Sequence, residues 1–166
     1  MLNNKKAFTM IELVFVIVVL GILAAVAIPR FSASRIDAQV SKGRADVSSL
    51  RSSIISERQT RLIKGDSSFI NRLDNSVASN TEGVVIFDSN ETLSATSPQI
   101  LAYGKRTKDD GGHWMKTGSN VYVYKVGTTA VSFTYYPTDI TVSGVFHPGG
   151  SLDCAHSGDM CKKLTE

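Results

Sequence analysis

The chain has 166 residues, 42% of them apolar and 20% charged. That balance suits one folded domain with an appendage and excludes both a wholly disordered and a wholly membrane-embedded protein. Eighteen Lys and Arg stand against fifteen Asp and Glu, a net charge of +3; the cations form no stripe with interleaved aromatics, so no direct nucleic-acid binding is predicted.

Leu13 to Ile28 reads LVFVIVVLGILAAVAI, 16 residues without a polar or charged side chain. Extended back to Phe8, the stretch is 21 residues interrupted only by Thr9 and Glu12. A helix of that length covers roughly 31 Å against ~30 Å of bilayer hydrocarbon, so it can span a membrane once. Three readings compete. A secretory signal peptide would use Lys5 and Lys6 as its basic region and Ala25-Val26-Ala27 as its cleavage site, yet Glu12 sits where such peptides avoid charge. An uncleaved anchor leaves Glu12 unexplained, because a lone carboxylate in a spanning helix costs about 2.5–3.5 kcal/mol or more. A third reading gives Glu12 a task.

The string Lys5-Lys6-Ala7-Phe8-Thr9-Met10-Ile11-Glu12-Leu13 resembles the processing signal of the type IV pilin and type II secretion pseudopilin family. The resemblance covers about residues 1–35 and includes Pro29 towards the end of the apolar run. It implies a leader (1–7) cut by a prepilin peptidase between Ala7 and Phe8, then N-methylation of Phe8. The family has Gly before the cut; Ala7 is the smallest departure from it. The resemblance further implies that Glu12 pairs with the Phe8 amine of a neighbouring subunit. Gly21 and Pro29 bracket a stretch that such filaments loosen on assembly. Gly21 and Ala25 also form a small-xxx-small pair that lets helices approach closely in lipid. Because Arg30, Arg35, Lys42 and Arg44 follow the span as Lys5 and Lys6 precede it, charge does not choose a side; a periplasmic head is what the resemblance implies.

Beyond the span (8–29), Ile36, Val40, Gly43, Val47, Leu50 and Ile54 recur at helical spacing, flanked by Asp46, Arg51 and Glu57. The pattern predicts one helix from about Phe8 to Leu62, kinked at Pro29 and amphipathic over 30–62, packing on a sheet. The remainder, 63–166, is expected to be the head. Its Gly65–Pro98 part is polar, with one apolar run at Val84–Phe87 and a short helix expected near Phe69–Leu73. Val121–Tyr124 and Val131–Tyr135 read as strands joined across Gly127-Thr128-Thr129, and Ile140–Phe146 as a third strand. The fold class is α+β: a long helix laid on a small antiparallel sheet of three to five strands.

Cys154 and Cys161 would bond to each other in an oxidising compartment, closing a tight loop. No catalytic constellation, metal site or cofactor is predicted. Asp109-Asp110-Gly111-Gly112, Asp153 and Asp159 lack the alternation of a calcium loop, and Lys105, Arg106 and Lys108 beside Trp114 read as a solvated loop. The function the resemblance implies is a filament subunit held in the inner membrane before assembly. Its partners would be copies of itself, other pilin-like subunits, the prepilin peptidase, the inner-membrane assembly platform and inner-membrane lipid. A pseudopilin of type II secretion or DNA uptake is the alternative.

Overall fold

The computed structural model describes residues 8–88 and 100–166, the side chain of Ser32 excepted. Two compact units divide it, one ending at Asp37 and the other running from Ala38 to Glu166. Helix α1 (Met10–Ile63) supplies the first and opens the second, and it is continuous through Pro29. It stops in a Schellman turn. Asp66 N–H donates to Arg61 O and Gly65 N–H to Leu62 O, each at 3.0 Å, with Gly65 at φ +84°, a conformation that glycine adopts without strain.

The second unit continues with β1 (Val85–Ile86), β2 (Lys105–Arg106), β3 (Trp114–Gly118), β4 (Val121–Val126), β5 (Thr129–Tyr136), β6 (Ile140–Val142), β7 (Val145–His147), β8 (Ser151–Cys154) and α2 (Asp159–Thr165). The main sheet is antiparallel in the order β3-β4-β5-β8, with β1-β2 and β6-β7 as separate ribbons. The fold is α+β. Alternation along β4 and β5 turns Tyr122, Tyr124, Phe133 and Tyr135 inward. Phe87 meets Trp114 edge-on at 5.3 Å between centroids, and Tyr124 and Phe133 lie 5.0 and 5.3 Å from the same indole. Such offset and edge contacts suit the ring quadrupoles.

Three expectations are corrected. Residues 69–73 form no helix: the Ile70 carbonyl accepts Tyr135 Oη–H at 2.7 Å and the Asn71 carbonyl accepts Asn120 Nδ2–H at 2.8 Å, so sheet side chains take carbonyls a helix would use. Ile140–Phe146 is not one strand but a hairpin, because Ser143 and Gly144 both have positive φ (+49° and +82°), the demand of a type I′ turn. Its place beside β5 is taken by β8, with Phe133 opposite Cys154 and Tyr135 opposite Leu152. The β4–β5 turn is also tighter than expected: Val126 pairs with Thr129, leaving Gly127 (φ +58°) and Thr128 as a two-residue loop.

The buried stripe of α1 is rotated from the expected one. Ile36 and Val40 are only half-buried, whereas Gln39, Gly43, Asp46, Val47, Leu50, Ile54, Glu57 and Arg61 are buried. Each of its polar members has at least one partner, as burial requires, although Glu57 Oε2 and Arg61 Nη2 are buried with none of their own among the described residues. Asp46 accepts Trp114 Nε1–H at 3.0 Å and pairs with Lys105 at 2.8 Å. Glu57 pairs with Arg61 at 2.6 Å. Burial works against the Arg61 charge, but Glu57 and Asp66 outweigh it and raise the guanidinium pKa. Gln39 O accepts Tyr124 Oη–H at 2.7 Å and its Oε1 accepts Gly127 N–H at 2.6 Å. Fully buried Asp74 accepts Lys116 Nζ–H at 2.8 Å and Tyr122 Oη–H at 2.6 Å. Burial, and then these carboxylates, raise both phenols above their ordinary value, Tyr124 to about 12.

Candidate functional site

Residues 1–7, the expected leader with Ala7 at its end, lie outside the described residues. At the start of α1, Thr9 is the N-cap. Its N–H and its hydroxyl donate to Glu12 Oε2 at 2.9 and 2.8 Å, and Glu12 N–H donates back to Thr9 Oγ1 at 3.3 Å. This is a capping box, in which threonine and a glutamate three residues on satisfy each other's orphan groups. The Thr-x-x-Glu signal stands in the sequence beside the feature that drew attention, and Thr9 is the residue that sequence reasoning missed. Glu12 Oε1 takes no hydrogen bond among the described residues.

Phe8 lies just before the cap, 78% exposed. From there through Ile28 the large apolar side chains are exposed, and none of the described residues covers the most apolar window of α1. The helix is long and apolar enough to cross a membrane. At Gly21 a Cβ would meet nothing within 4 Å, so this side of the helix is open to another helix's backbone. Pro29 sits inside α1 and has no N–H to offer the Ala25 carbonyl. Phe8, Glu12, Gly21 and Pro29 thus lie along a single bare helix rather than meeting in a pocket.

The other candidates lie in the second unit. Cys154 ends β8 and Cys161 lies in α2; they are bonded with Cα atoms 5.9 Å apart, within the ordinary range. Asp153 accepts from Arg51 at 3.3 Å and lies 3.0 Å from His156 Nε2, Asp110 pairs with Lys108 at 3.3 Å, and Asp109 pairs with Lys125. These carboxylates are spent on cations. Gly111 and Gly112 make room for the Gln39 side chain, which would meet a Cβ at 2.7 and 3.2 Å respectively. The basic cluster is likewise engaged: Lys105 with Asp46, Arg106 with the Gly83 carbonyl, Lys108 with Asp110. Among the described residues, no group of three or more His, Cys, Asp or Glu is placed to hold a metal.

Residues 2–28 match the model of the prokaryotic N-terminal methylation motif. A curated relative, a fimbrial protein of Moraxella nonliquefaciens, is 43% identical over 58 residues, 35% of this chain. The match spans 38% of that relative's length. No solved structure matches the chain.

Proposed function

We propose that this chain, whose residues 2–28 match the N-terminal methylation motif and whose N-terminal part is similar to a fimbrial protein, is a type IV pilin-like structural subunit that polymerises into a pilus-like filament with copies of itself and other pilin-like subunits. Residues 1–7 are the leader, 8–29 the spanning and polymerising helix, 30–62 the amphipathic helix of the head and 63–166 the rest of the head. A prepilin peptidase cuts between Ala7 and Phe8, and the new Phe8 amine is methylated. Before assembly the span rests in inner-membrane lipid with the head in the periplasm. An inner-membrane platform then moves it into the fibre.

One observation carries this reading: α1 begins as an exposed apolar helix led by a carboxylate that the described residues satisfy at one oxygen only. A carboxylate in hydrocarbon needs a partner. Cleavage creates one, an amine on each neighbouring copy, and losing either member of a buried pair costs about 3–5 kcal/mol. The contact between Glu12 and that amine therefore sets adhesion and axial register together, while Gly21 and Pro29 let the helices approach and adjust.

The test is the intact mass of the chain from sheared fibres, with gold-labelled antibody on the same fibres. A mass beginning at methylated Phe8 and label along the fibres support the reading; a mass beginning at Met1 or after Ala27 overturns it. Protein that is correctly cut but remains with the inner membrane assigns the chain to the pseudopilin alternative, in secretion or DNA uptake.

A further inference from the structure

The β6–β7 hairpin is hydrogen-bonded as a ribbon of its own, with Ile140 opposite His147, Thr141 opposite Phe146 and Val142 opposite Val145. Its base is fixed. The His147 ring stacks on Tyr136 at 4.2 Å, Asp139 Oδ1 accepts Gly149 N–H at 2.7 Å, and the Phe69 ring fills the space that a Cβ on Gly150 would need, 2.2 Å away. The strands themselves are uncovered: Ile140 is 46% exposed, Val142 40%, Val145 58% and Phe146 60%. They carry no Lys, Glu, Asp or Pro, the residues that usually blunt an open strand edge. A cavity of about 550 Å³, lined by Ser132, Thr134, Tyr136, Val142 and Val145 among others, opens beneath one face. A groove of about 490 Å³ with Ile55, Phe69 and Phe146 lies along the other.

We propose that this hairpin is the grip by which one head holds the head of a second copy in the filament, a proposal that rests on the filament reading above. The apolar area it offers is on the order of 400 Å², the size of the largest patch on many monomers and one that is often functional, but only about half of the ~800 Å² per partner that a stable complex buries. Such a patch cannot hold a partner that arrives by diffusion. It suffices for one already tethered, and helices packed through their N-terminal spans hold neighbouring heads at about millimolar effective concentration. The absence of charge on the strands favours another apolar surface over an ionic ligand. A head-to-tail contact of this kind repeats without closing, as a fibre requires.

The test places a photoreactive benzoylphenylalanine at position 146 of the full chain in producing cells, with Phe146→Asp and Val142→Asp as separate variants. Light should give a dimer of this chain in sheared fibres, and none from the Glu12→Val chain retained in the membrane. Each Asp variant should lower fibre recovery at least threefold while the amount of disulfide-bonded chain in the membrane stays unchanged. Normal fibres from both Asp variants, with no dimer at position 146, overturn the grip and leave the filament reading intact. A cross-link to a different protein also overturns it. Absence of fibres from the unaltered chain overturns the filament reading, and the grip with it.

Discussion

The ring of Tyr124 occupies the space that a side chain at position 43 would need: a Cβ on Gly43 would lie 2.4 Å from its Cε1 and 2.7 Å from Leu164 Cδ2. Gly43 is the one residue in the helical stripe with no side chain, and it lets β4 and α2 close on α1. Gly43→Ala gains about 1 kcal/mol of helix propensity but overpacks this contact at about 1–3 kcal/mol. The net expectation is destabilisation, measured as a lower unfolding midpoint of the detergent-solubilised chain.

Glu12 has two separable tasks, closing the capping box and carrying charge. Glutamine also closes a capping box, so Glu12→Gln should leave the helix start intact yet reduce fibre yield. Thr9→Val should do the reverse, costing about 1 kcal/mol at the helix start and leaving the charge in place. Hydrogen exchange of the amides of residues 10–13 reads the first effect and sheared-fibre yield the second. Normal fibres from Glu12→Gln would dismiss the charge pairing.

Tyr122 and Tyr124 stay neutral in the fold at pH values where free phenols ionise, because burial raises both. A raised folded-state pKa gives stability that is fully present below the unfolded value near 10 and lost as pH climbs through the folded one. Between pH 10 and about 12, where Tyr124 ionises in the fold, its share of the loss is about 2–3 kcal/mol. Unfolding midpoints from pH 8 to 12 should therefore fall steeply above 10, and Tyr124→Phe should flatten the fall. A flat profile would refute it.

Asp74 is fully buried between Lys116 and Tyr122. Asp74→Ala strands the Lys116 ammonium, at a cost of about 3–5 kcal/mol. Adding Lys116→Met should recover much of that, which denaturant unfolding of the single and double variants will show.

The Cys154–Cys161 bond closes a short loop between β8 and α2. Serine at both positions should lower stability by about 2–3 kcal/mol, read as a shift in the unfolding midpoint with the unaltered chain under reductant as control.

Much of this architecture is legible in the residues. The alternation in Val121–Tyr124 and Val131–Tyr135 marks β4 and β5 because one face must be buried and the other not, and the unbroken aliphatic run marks the bare part of α1. What escapes is whatever depends on distant partners. Asp46 and Glu57 look like flanks of an amphipathic helix until Trp114, Lys105 and Arg61 are found beside them. Ser143-Gly144 hides inside a β-branched run whose composition reads as one strand. Ser151–Cys154 has little strand propensity and is a strand only because β5 offers an edge, while its outer side is met by Arg51, which donates to the Leu152 carbonyl at 3.1 Å. Thr9 was readable but overshadowed by the charge three residues on.

The contact between Leu164 and the Gly43 region has a bearing on when the head folds. Arg44 also donates to the Lys163 carbonyl at 2.8 Å, across 119 residues of chain. At about 5–20 residues per second of synthesis, roughly 6–24 seconds separate the appearance of these partners. Until then the glycine notch on α1 stands open and the aromatic core has a missing wall. On the filament reading the nascent chain passes that interval with its apolar span in lipid and its head unfinished, so a tag inserted next to Leu164 should slow maturation more than one inserted in the exposed loop around Tyr103.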